Sequence, residues 1–312
     1  MATTGSAWLL LNYIGELYTA SPLRTPVLSA IGGLNGGKLS QNFTFPVSAE
    51  YSIPAAAQTT ITEDDSVDAP TAVDVVTTQV YNVCEIHHHS ILVTYQAISN
   101  QNRLSGITGP TDNLASPASY DFQIKRKLEE IARDVEFSIL QGTYVVSTGS
   151  GVANGTRGLI ECASDAGNTV AAGGATLTKP VVQELLRTMY AAGAIFANAA
   201  FIVNAFQKQV LSEIYGYAPT SRDVGGLNIQ QIETDFGLIG VILDSFQPAA
   251  TVTLAELSVC APVFQEVPKK GGLFYQPLAP TGAADKGQLY GQIGLDHGPK
   301  WMHGTITGCA TS

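Results

Sequence analysis

The sequence predicts an α+β fold with two lobes, in which strands and helices alternate in the middle of the chain and extended segments flank them. Three observations support this prediction. Residues 116–142 have the periodicity of one very long helix, residues 39–80 have the pattern of an extended arm, and residues 227–264 contain three strand-like segments at short spacing. A helix that long, with apolar residues along one side, has to be covered by much of the remaining chain.

The composition is poor in charge for a chain of this size. Of 312 residues, 45% are hydrophobic and only 13% are charged, and no apolar run approaches the length of a membrane span. These values favour a protein that covers much of its surface with copies of itself. The net charge of −10 argues against an autonomous nucleic-acid binder.

Motifs for catalysis and secretion are absent from the sequence. The N-terminus lacks the basic region of a signal peptide, and no G-x-S-x-G elbow or cysteine-protease pattern occurs. We therefore expect no catalytic residue and no cofactor. Because there is no C-x-x-C, we expect four reduced thiols in a cytoplasmic product, at Cys84, Cys162, Cys260 and Cys309.

The N-terminal region predicts short elements separated by proline and glycine. Residues 7–20 predict an amphipathic helix, residues 27–31 a short strand, and residues 32–37 a flexible glycine turn. This turn comes close to a phosphate-binding loop, G-x-x-x-x-G-K-[ST], but Leu39 stands where the motif needs a hydroxyl. A glycine hinge is the better interpretation.

The arm, residues 39–80, alternates polar and apolar residues and contains three prolines and an acidic cluster. Few of its residues can anchor a core. We expect a two-stranded arm that packs on something other than its own domain. Its candidate contact residues are Phe43, Phe45, Tyr51, Glu63, Asp64 and Asp65.

Residues 77–99 predict a long strand that contains three consecutive histidines. Strand alternation places Glu85, His87 and His89 on one face, and His-x-His is a spacing that zinc sites use. A third ligand would have to come from afar, and the chain's other imidazoles are His297 and His303. A metal-dependent hydrolase is therefore a weak hypothesis, and a polar strand face against a neighbouring chain is the favoured one.

Residues 116–142 predict the longest helix. Ser116 can cap it, Pro117 fits its first position, and Gly142 can take the left-handed conformation at its end. The apolar stripe has a period near 3.6 and consists of Ile124, Leu128, Ile131, Val135 and Ile139.

The opposite side of this helix is charged. We expect ion pairs four residues apart, Lys125 with Glu129 and Arg126 with Glu130. The whole face is predicted to be solvated or to contact another subunit. Its candidate contact residues are Lys125, Arg126, Glu129, Arg133 and Glu136.

The second half of the chain predicts a mixture of short elements. Residues 144–174 have the pattern of strand and loop, followed by a helix at 179–194 capped by Thr178. A strand at 200–204 and a helix at 205–216, ended by Gly216, come next. Three β segments follow, at 227–236, 237–246 and 250–264, and the last forty residues are again strand-like.

The order of these segments resembles the major capsid proteins of one family of tailed phages. The residues that carry the resemblance are LNYIGELYTASPLRTPVLSAIGG (11–33), QVYNVCEIHHHSILVTYQAIS (79–99), FQIKRKLEEIARDVEFSILQG (122–142), GTRGLIECASDAGN (155–168), FIVNAFQKQVLSEIYG (201–216) and TDFGLIGVILDS (234–245). The resemblance implies the Hong Kong 97-like capsid fold. Its parts would be an N-terminal arm at 1–38, an extended β loop at 39–80, a peripheral domain at 81–184 with the spine helix 116–142, an axial domain at 185–285, and a return to the peripheral domain at 286–312.

The resemblance also implies a function. The chain would be a structural protein whose copies form hexamers and pentamers of an icosahedral shell around double-stranded DNA, assembled in the host cytoplasm with scaffolding and portal proteins and without a membrane. A decoration protein and the shell size are left open. The N-terminal helix, with Trp8 and Leu11, would clasp another subunit. An encapsulin-like compartment shares the fold and is the alternative, beside the weaker hydrolase hypothesis on His87 and His89.

Overall fold

The computed structural model describes residues 24–53, 55–69, 74–96, 120–215, 221–224, 227–280 and 282–311. Several predicted features lie outside the described residues, namely the helix at 7–20 with Trp8 and Leu11, the helix start at Ser116 and Pro117, and the helix end at Gly216. None of the described helices is both long and apolar enough to cross a membrane.

Helices and strands alternate along the described chain. The helices are α1 Pro26–Ala30, α2 Tyr120–Gln141, α3 Leu159–Asp165, α4 Lys179–Ala191 and α5 Ala205–Tyr215. The strands are β1 Lys38–Ser40, β2 Thr44–Tyr51, β3 Thr77–Val83, β4 Glu85–Thr94, β5 Thr169–Ala171, β6 Ala199–Val203, β7 Ser221–Val224, β8 Leu227–Thr234, β9 Gly237–Leu243, β10 Val252–Glu256, β11 Ala261–Gln265, β12 Leu273–Pro277, β13 Ala284–Asp296 and β14 Gly304–Thr307. The predicted α+β class is confirmed.

A five-stranded sheet is built around β13, its longest strand. One flank of β13 pairs with β4 over ten residues, and the other flank pairs with β12 and then β11. The short strand β1 adds parallel to β11 at the edge. A separate hairpin of β2 and β3 forms the base of the arm.

A seven-stranded sheet has the order β5-β14-β10-β6-β9-β8-β7. Its pairs β5–β14 and β6–β9 are parallel and the others are antiparallel. Strand β6 is buried along its whole length, as the apolar run at 200–204 predicts. Each sheet combines strands from inside and outside residues 185–285, because β11 and β12 join the five-stranded sheet while β5 and β14 join the seven-stranded one.

The long helix α2 packs on both sheets at once. Its stripe residues Ile131, Val135 and Ile139 are at most 2% exposed and belong to one core cluster. That cluster also contains Ile91 of β4 and Ile202 of β6, one from each sheet. A second cluster, on α4 and α5, covers the seven-stranded sheet. The predicted role of α2 as the organiser of the core is confirmed.

Four predicted elements differ from the structure. Residues 250–264, predicted as one β segment, form the two strands β10 and β11, which belong to different sheets. The predicted strand at 27–31 is replaced by helix α1, which ends at Ala30, because Pro26 occupies its first turn, where a missing N–H costs nothing. The stretch predicted as one strand at 77–99 contains two strands among its described residues, since β3 and β4 are separated at Cys84, whose N–H donates to the carbonyl of Phe43 at 2.7 Å. The stretch 144–174, predicted as strand and loop, contains helix α3.

The glycine run at 32–37 is a packed turn. Gly37 has φ +127°, and a Cβ on it would lie 2.3 Å from the carbonyl oxygen of Pro262. Lys38 follows as the first residue of β1 and forms an ion pair with Asp296. This lysine is thereby engaged by the protein itself, which agrees with the rejection of a phosphate-binding loop.

Candidate assembly interface

The base of the arm is anchored in the chain's own core. Phe45, on β2, is 5% exposed and packs with Cys84 and Val263. The prediction that Phe45 contacts a neighbouring subunit is therefore wrong, because its side chain is buried between the hairpin and β11 of its own chain. Phe43, just before β2, is 44% exposed and stays a candidate contact.

Beyond this base the arm has no core of its own. Every described residue from 51 to 79 is exposed. Its apolar side chains are all more than half exposed, at Tyr51, Ile53, Ile61, Val67, Val75 and Val76. Burying such a side chain contributes about 1.5–3 kcal/mol, so a segment that leaves six of them in water is suited to contact another molecule.

The acidic cluster of the arm forms a local turn. The carboxylate of Asp65 accepts hydrogen bonds from the hydroxyl (2.7 Å) and the N–H (3.2 Å) of Thr62. These bonds hold the pKa of Asp65 below its usual value. Glu63 and Asp64 begin the same turn and are exposed, so the cluster presents negative charge to its surroundings.

The charged face of α2 is only partly open to solvent. Its ion pairs are three residues apart rather than four, Arg126 with Glu129 at 2.8 Å and Lys127 with Glu130 at 2.5 Å. Lys125 is exposed, which leaves it available to a partner. Arg133 is half-buried, with its guanidinium 6.0 Å from the ring centre of Phe246.

Two of the three histidines of β4, His87 and His89, contact carboxylates rather than each other. His89 lies between two acids of α2, with 2.9 Å from its Nε2 to Asp134 and 3.4 Å from its Nδ1 to Glu130. His87 is buried, 3.1 Å from Glu85. The predicted alternation is confirmed, but it serves to join β4 to α2. The two histidines do not form a shared group of metal ligands among the described residues.

Glu136, on α2, lies in the interior of the protein rather than on the charged face. It is fully buried, and its two oxygens accept the N–H groups of Val27 at 2.8 Å and Leu28 at 2.7 Å. The prediction that Glu136 lies on a solvated face or in a subunit contact is therefore wrong. Its partners are the first N–H groups of α1, which have no acceptor within that helix.

Glu136 is also coupled to a second buried carboxyl group. Burial and the neighbouring Asp244 raise the pKa of Glu136 to about 9, and burial raises the pKa of Asp244. Two carboxylates this close repel each other in a buried site, so the pair holds one proton at neutral pH.

A second buried cluster was not predicted from the sequence. Cys162 on α3 lies 3.3 Å from Nδ1 of His297, and His303 follows six residues later in the loop between β13 and β14. All three side chains are fully buried. Burial raises the pKa of the Cys162 thiol to about 12 and lowers the pKa of His297 to about 3 and that of His303 to about 4. All three are therefore neutral near pH 7.

Comparison with known proteins agrees with this architecture. The family model described as SU10 major capsid protein matches residues 1–310. No curated protein matches the sequence. Among solved structures, the fold is similar to the cyanophage A-1(L) capsid, with 14% identity over 99% of both chains and a TM-score of 0.64. It is also similar to the SrpI encapsulin of Synechococcus elongatus, with 13% identity over 96% of this chain and 94% of that one and a TM-score of 0.58. A third similar structure is from Mycobacterium phage Patience, with 8% identity, coverage of 92% and 84%, and a TM-score of 0.57.

Proposed function

This chain belongs to the SU10 major capsid protein family, and from that premise we propose that its arm, residues 39–80, lies on a neighbouring subunit and links the subunits of the shell. The protein is a structural protein of a bacteriophage capsid and not an enzyme, and its copies assemble into multi-subunit shells. The protein is located in the virion capsid. The observation that carries the proposal is the unbroken exposure of the described residues 51–79, with six large apolar side chains among them.

The arm is suited to linking the subunits of a shell because its exposed apolar side chains are distributed along an extended segment. Each exposed apolar side chain offers about 1.5–3 kcal/mol when buried, and fixing each backbone residue costs about 1–2 kcal/mol. Each arm contact is therefore modest, and stability comes from the number of contacts that a closed assembly makes at once. The exposed cation Lys125 and the acidic turn at 63–65 offer complementary charges for such contacts.

The proposal extends to the arrangement of subunits. In it, hexamers and pentamers form around an axial domain, predicted at 185–285, and the spine helix α2 belongs to the peripheral domain. What supports this assignment is that β6 to β10, which all lie within 185–285, belong to the seven-stranded sheet, and that α2 packs across both sheets. The N-terminal residues Trp8 and Leu11 are proposed to clasp a further subunit.

The proposed content of the shell is double-stranded DNA, held without sequence-specific contacts. The net charge of −10 supports containment rather than tight binding. Scaffolding and portal proteins are the proposed partners, and assembly takes place in the host cytoplasm. An encapsulin-like compartment would instead enclose protein. Nuclease-treated particles from infected cells are expected to contain protected DNA, and particles filled with a protein cargo and free of DNA would favour the compartment.

The arm can be removed without cutting into its anchored base. Tyr51 and Thr77 are paired across the hairpin, so an Asn-Gly turn in place of residues 52–76 can close it. We expect this variant to give a subunit with an unchanged thermal unfolding midpoint that no longer forms shells by electron microscopy. Intact shells of the shortened protein would contradict the proposal. As a control, an Asn-Gly turn replaces the loop 146–154, whose ends Val145 and Gly155 are also paired, and shells are expected to form.

A further inference from the structure

We propose that Cys162, His297 and His303 form a buried binding site for a thiophilic divalent metal ion of the zinc class. The site is separate from the arm and from the charged face of α2, and it does not depend on the proposed role of either. Among the described residues, this is the one group of three or more histidine, cysteine or acidic side chains whose ligand atoms converge, all within 4.8 Å of one another.

The three side chains are held close together by helix α3 and by the loop between β13 and β14. Cys162 is in the middle of α3, and the loop 297–303 turns back over it. Asn168 fixes that loop by donating to the carbonyls of Trp301 and His303, both at 2.9 Å. The result is a thiol and two imidazoles packed in one fully buried place.

The hydrogen bonds of the two rings leave one buried nitrogen on each without a partner. Nε2 of His303 donates to the carbonyl oxygen of His297 at 2.6 Å, which leaves the lone pair on Nδ1. Nδ1 of His297 is 2.8 Å from the carbonyl oxygen of Gly298, and donation there leaves the lone pair on Nε2. Within the part of the chain that the structure describes, neither Nδ1 of His303 nor Nε2 of His297 has a hydrogen-bond partner.

Two such nitrogens are costly in a protein interior. A buried polar atom without a partner costs about 1–3 kcal/mol, and most buried polar atoms avoid that cost. A metal ion would use both lone pairs. Backbone carbonyls that accept the other N–H of each ring are also the usual way in which a protein orients ligating histidines.

The donor set selects the kind of ion. Sulfur and imidazole nitrogen suit zinc and exclude the hard cations Mg²⁺ and Ca²⁺, which take oxygen ligands. Because a thiolate rather than a thiol ligates zinc, binding would release the thiol proton of Cys162. A tetrahedral ion would have one further position beyond these three ligands.

The place of the cluster gives the ion a structural role. The loop 297–303 connects β13 of the five-stranded sheet to β14 of the seven-stranded sheet. An ion bound there by Cys162 of α3 would fix the crossing between the two sheets. Because the site is closed, the ion has to enter while the chain folds.

The test uses the full chain produced in zinc-supplemented medium and purified without chelators. We expect about one zinc per subunit by mass spectrometry of metals, and X-ray absorption with sulfur at about 2.3 Å and nitrogen at about 2.0–2.1 Å. A fully occupied site binds one zinc ion per subunit, so a measured zinc content below about a tenth of an ion per subunit would overturn the proposal. So would an absorption spectrum without sulfur, and this measurement needs no variant to fold.

Variants then assign the ligands. Cys162→Ser and His303→Gln are each expected to lower the zinc content at least tenfold. The matched control is Cys84→Ser, which removes another buried cysteine that packs with Phe45 and Val263 instead of histidines, and it should keep its zinc. A Cys162→Ser protein with the zinc content of the parent would show that the ion is bound elsewhere and would refute the site.

Discussion

Glu136, in the interior of the longest helix, accepts a hydrogen bond from the backbone N–H of Val27, 109 residues earlier in the chain, at 2.8 Å. Its second oxygen accepts the next N–H, from Leu28, at 2.7 Å. A single buried carboxyl group thus fixes the start of α1 on α2. Val27 and Leu28 are themselves buried in the cluster that α2 shares with both sheets.

The contact between Glu136 and α1 predicts a large loss of stability when the side chain is removed. Glu136→Ala leaves two buried N–H groups without an acceptor, and we expect the free energy of unfolding to fall by about 2–4 kcal/mol. Glu136→Gln keeps one acceptor and should lose roughly half as much. Denaturant unfolding of unassembled subunits measures both. Glu129→Ala, which removes an exposed ion pair, should lower the free energy of unfolding by at most about 1 kcal/mol. Equal losses of stability in Glu129→Ala and Glu136→Ala would contradict the predicted role of Glu136.

The carboxyl pair of Glu136 and Asp244 predicts a stability that falls as the pH rises. The folded-state pKa of Glu136, about 9, is above its ordinary value of 4.5, so the folded protein keeps a proton that the unfolded chain releases. Between pH 4.5 and about pH 9, the free energy of unfolding falls by up to about 1.4 kcal/mol per pH unit, and above about pH 9 it levels off. Unfolding midpoints across this range measure the slope.

Asp244→Asn tests the origin of that slope. It removes the neighbouring carboxyl group, so Glu136 can ionise with less repulsion, and we expect a clearly flatter dependence on pH. Glu129→Gln, at a partly exposed position of the same helix, should leave the slope unchanged. A slope that is unchanged in Asp244→Asn would show that burial alone, and not Asp244, raises the pKa of Glu136.

The close approach of Gly37 to Pro262 predicts that no larger residue fits there. Gly37→Ala places a Cβ 2.3 Å from the Pro262 carbonyl oxygen at a backbone φ of +127°, so either the strand β1 or its partner β11 has to shift. We expect a loss of about 2–4 kcal/mol by thermal or denaturant unfolding. Gly149→Ala, where a Cβ would meet no atom within 4 Å, is the matched substitution and should change stability by less than about 0.5 kcal/mol.

The arm predicts a separation of assembly from subunit stability. Ile61→Ser and Val67→Ser together remove two of its most exposed apolar side chains, which are 73% and 84% exposed in the subunit. We expect an unchanged unfolding midpoint and at least a tenfold lower yield of particles by sedimentation, since about 1.5–3 kcal/mol per side chain is lost at each contact. Thr59→Ser is the control in the same segment. A parental yield in the double variant would show that these two side chains face solvent in the shell.

The helical stripe of α2 was predictable because its signal is local. Ile131, Val135 and Ile139 repeat at the period of a helix, and burial follows from that repeat. Glu136 was assigned to the charged face because the N–H groups that donate to it are more than a hundred residues away in the sequence. A weak local signal existed, since Leu140, four residues further on, is buried on the same row of the helix.

Other features had no reliable local signal. The apolar run at 27–31 is as short as a strand or a helix, and only the proline before it favours the helix that forms. His297 and Cys162 are 135 residues apart, so no spacing motif connects them. The exposure of the arm, by contrast, follows from its composition, because a segment with few core residues cannot be covered by its own chain.

Strand β13 lies inside the five-stranded sheet with partners on both flanks, and β14 lies inside the seven-stranded sheet between β5 and β10. The five-stranded sheet therefore stays incomplete until residue 296 has left the exit tunnel of the ribosome, and the seven-stranded sheet until residue 307 has left it. A nascent chain shorter than that holds its earlier strands without their central partners. The complete subunit fold is consequently reached only after translation has passed this point.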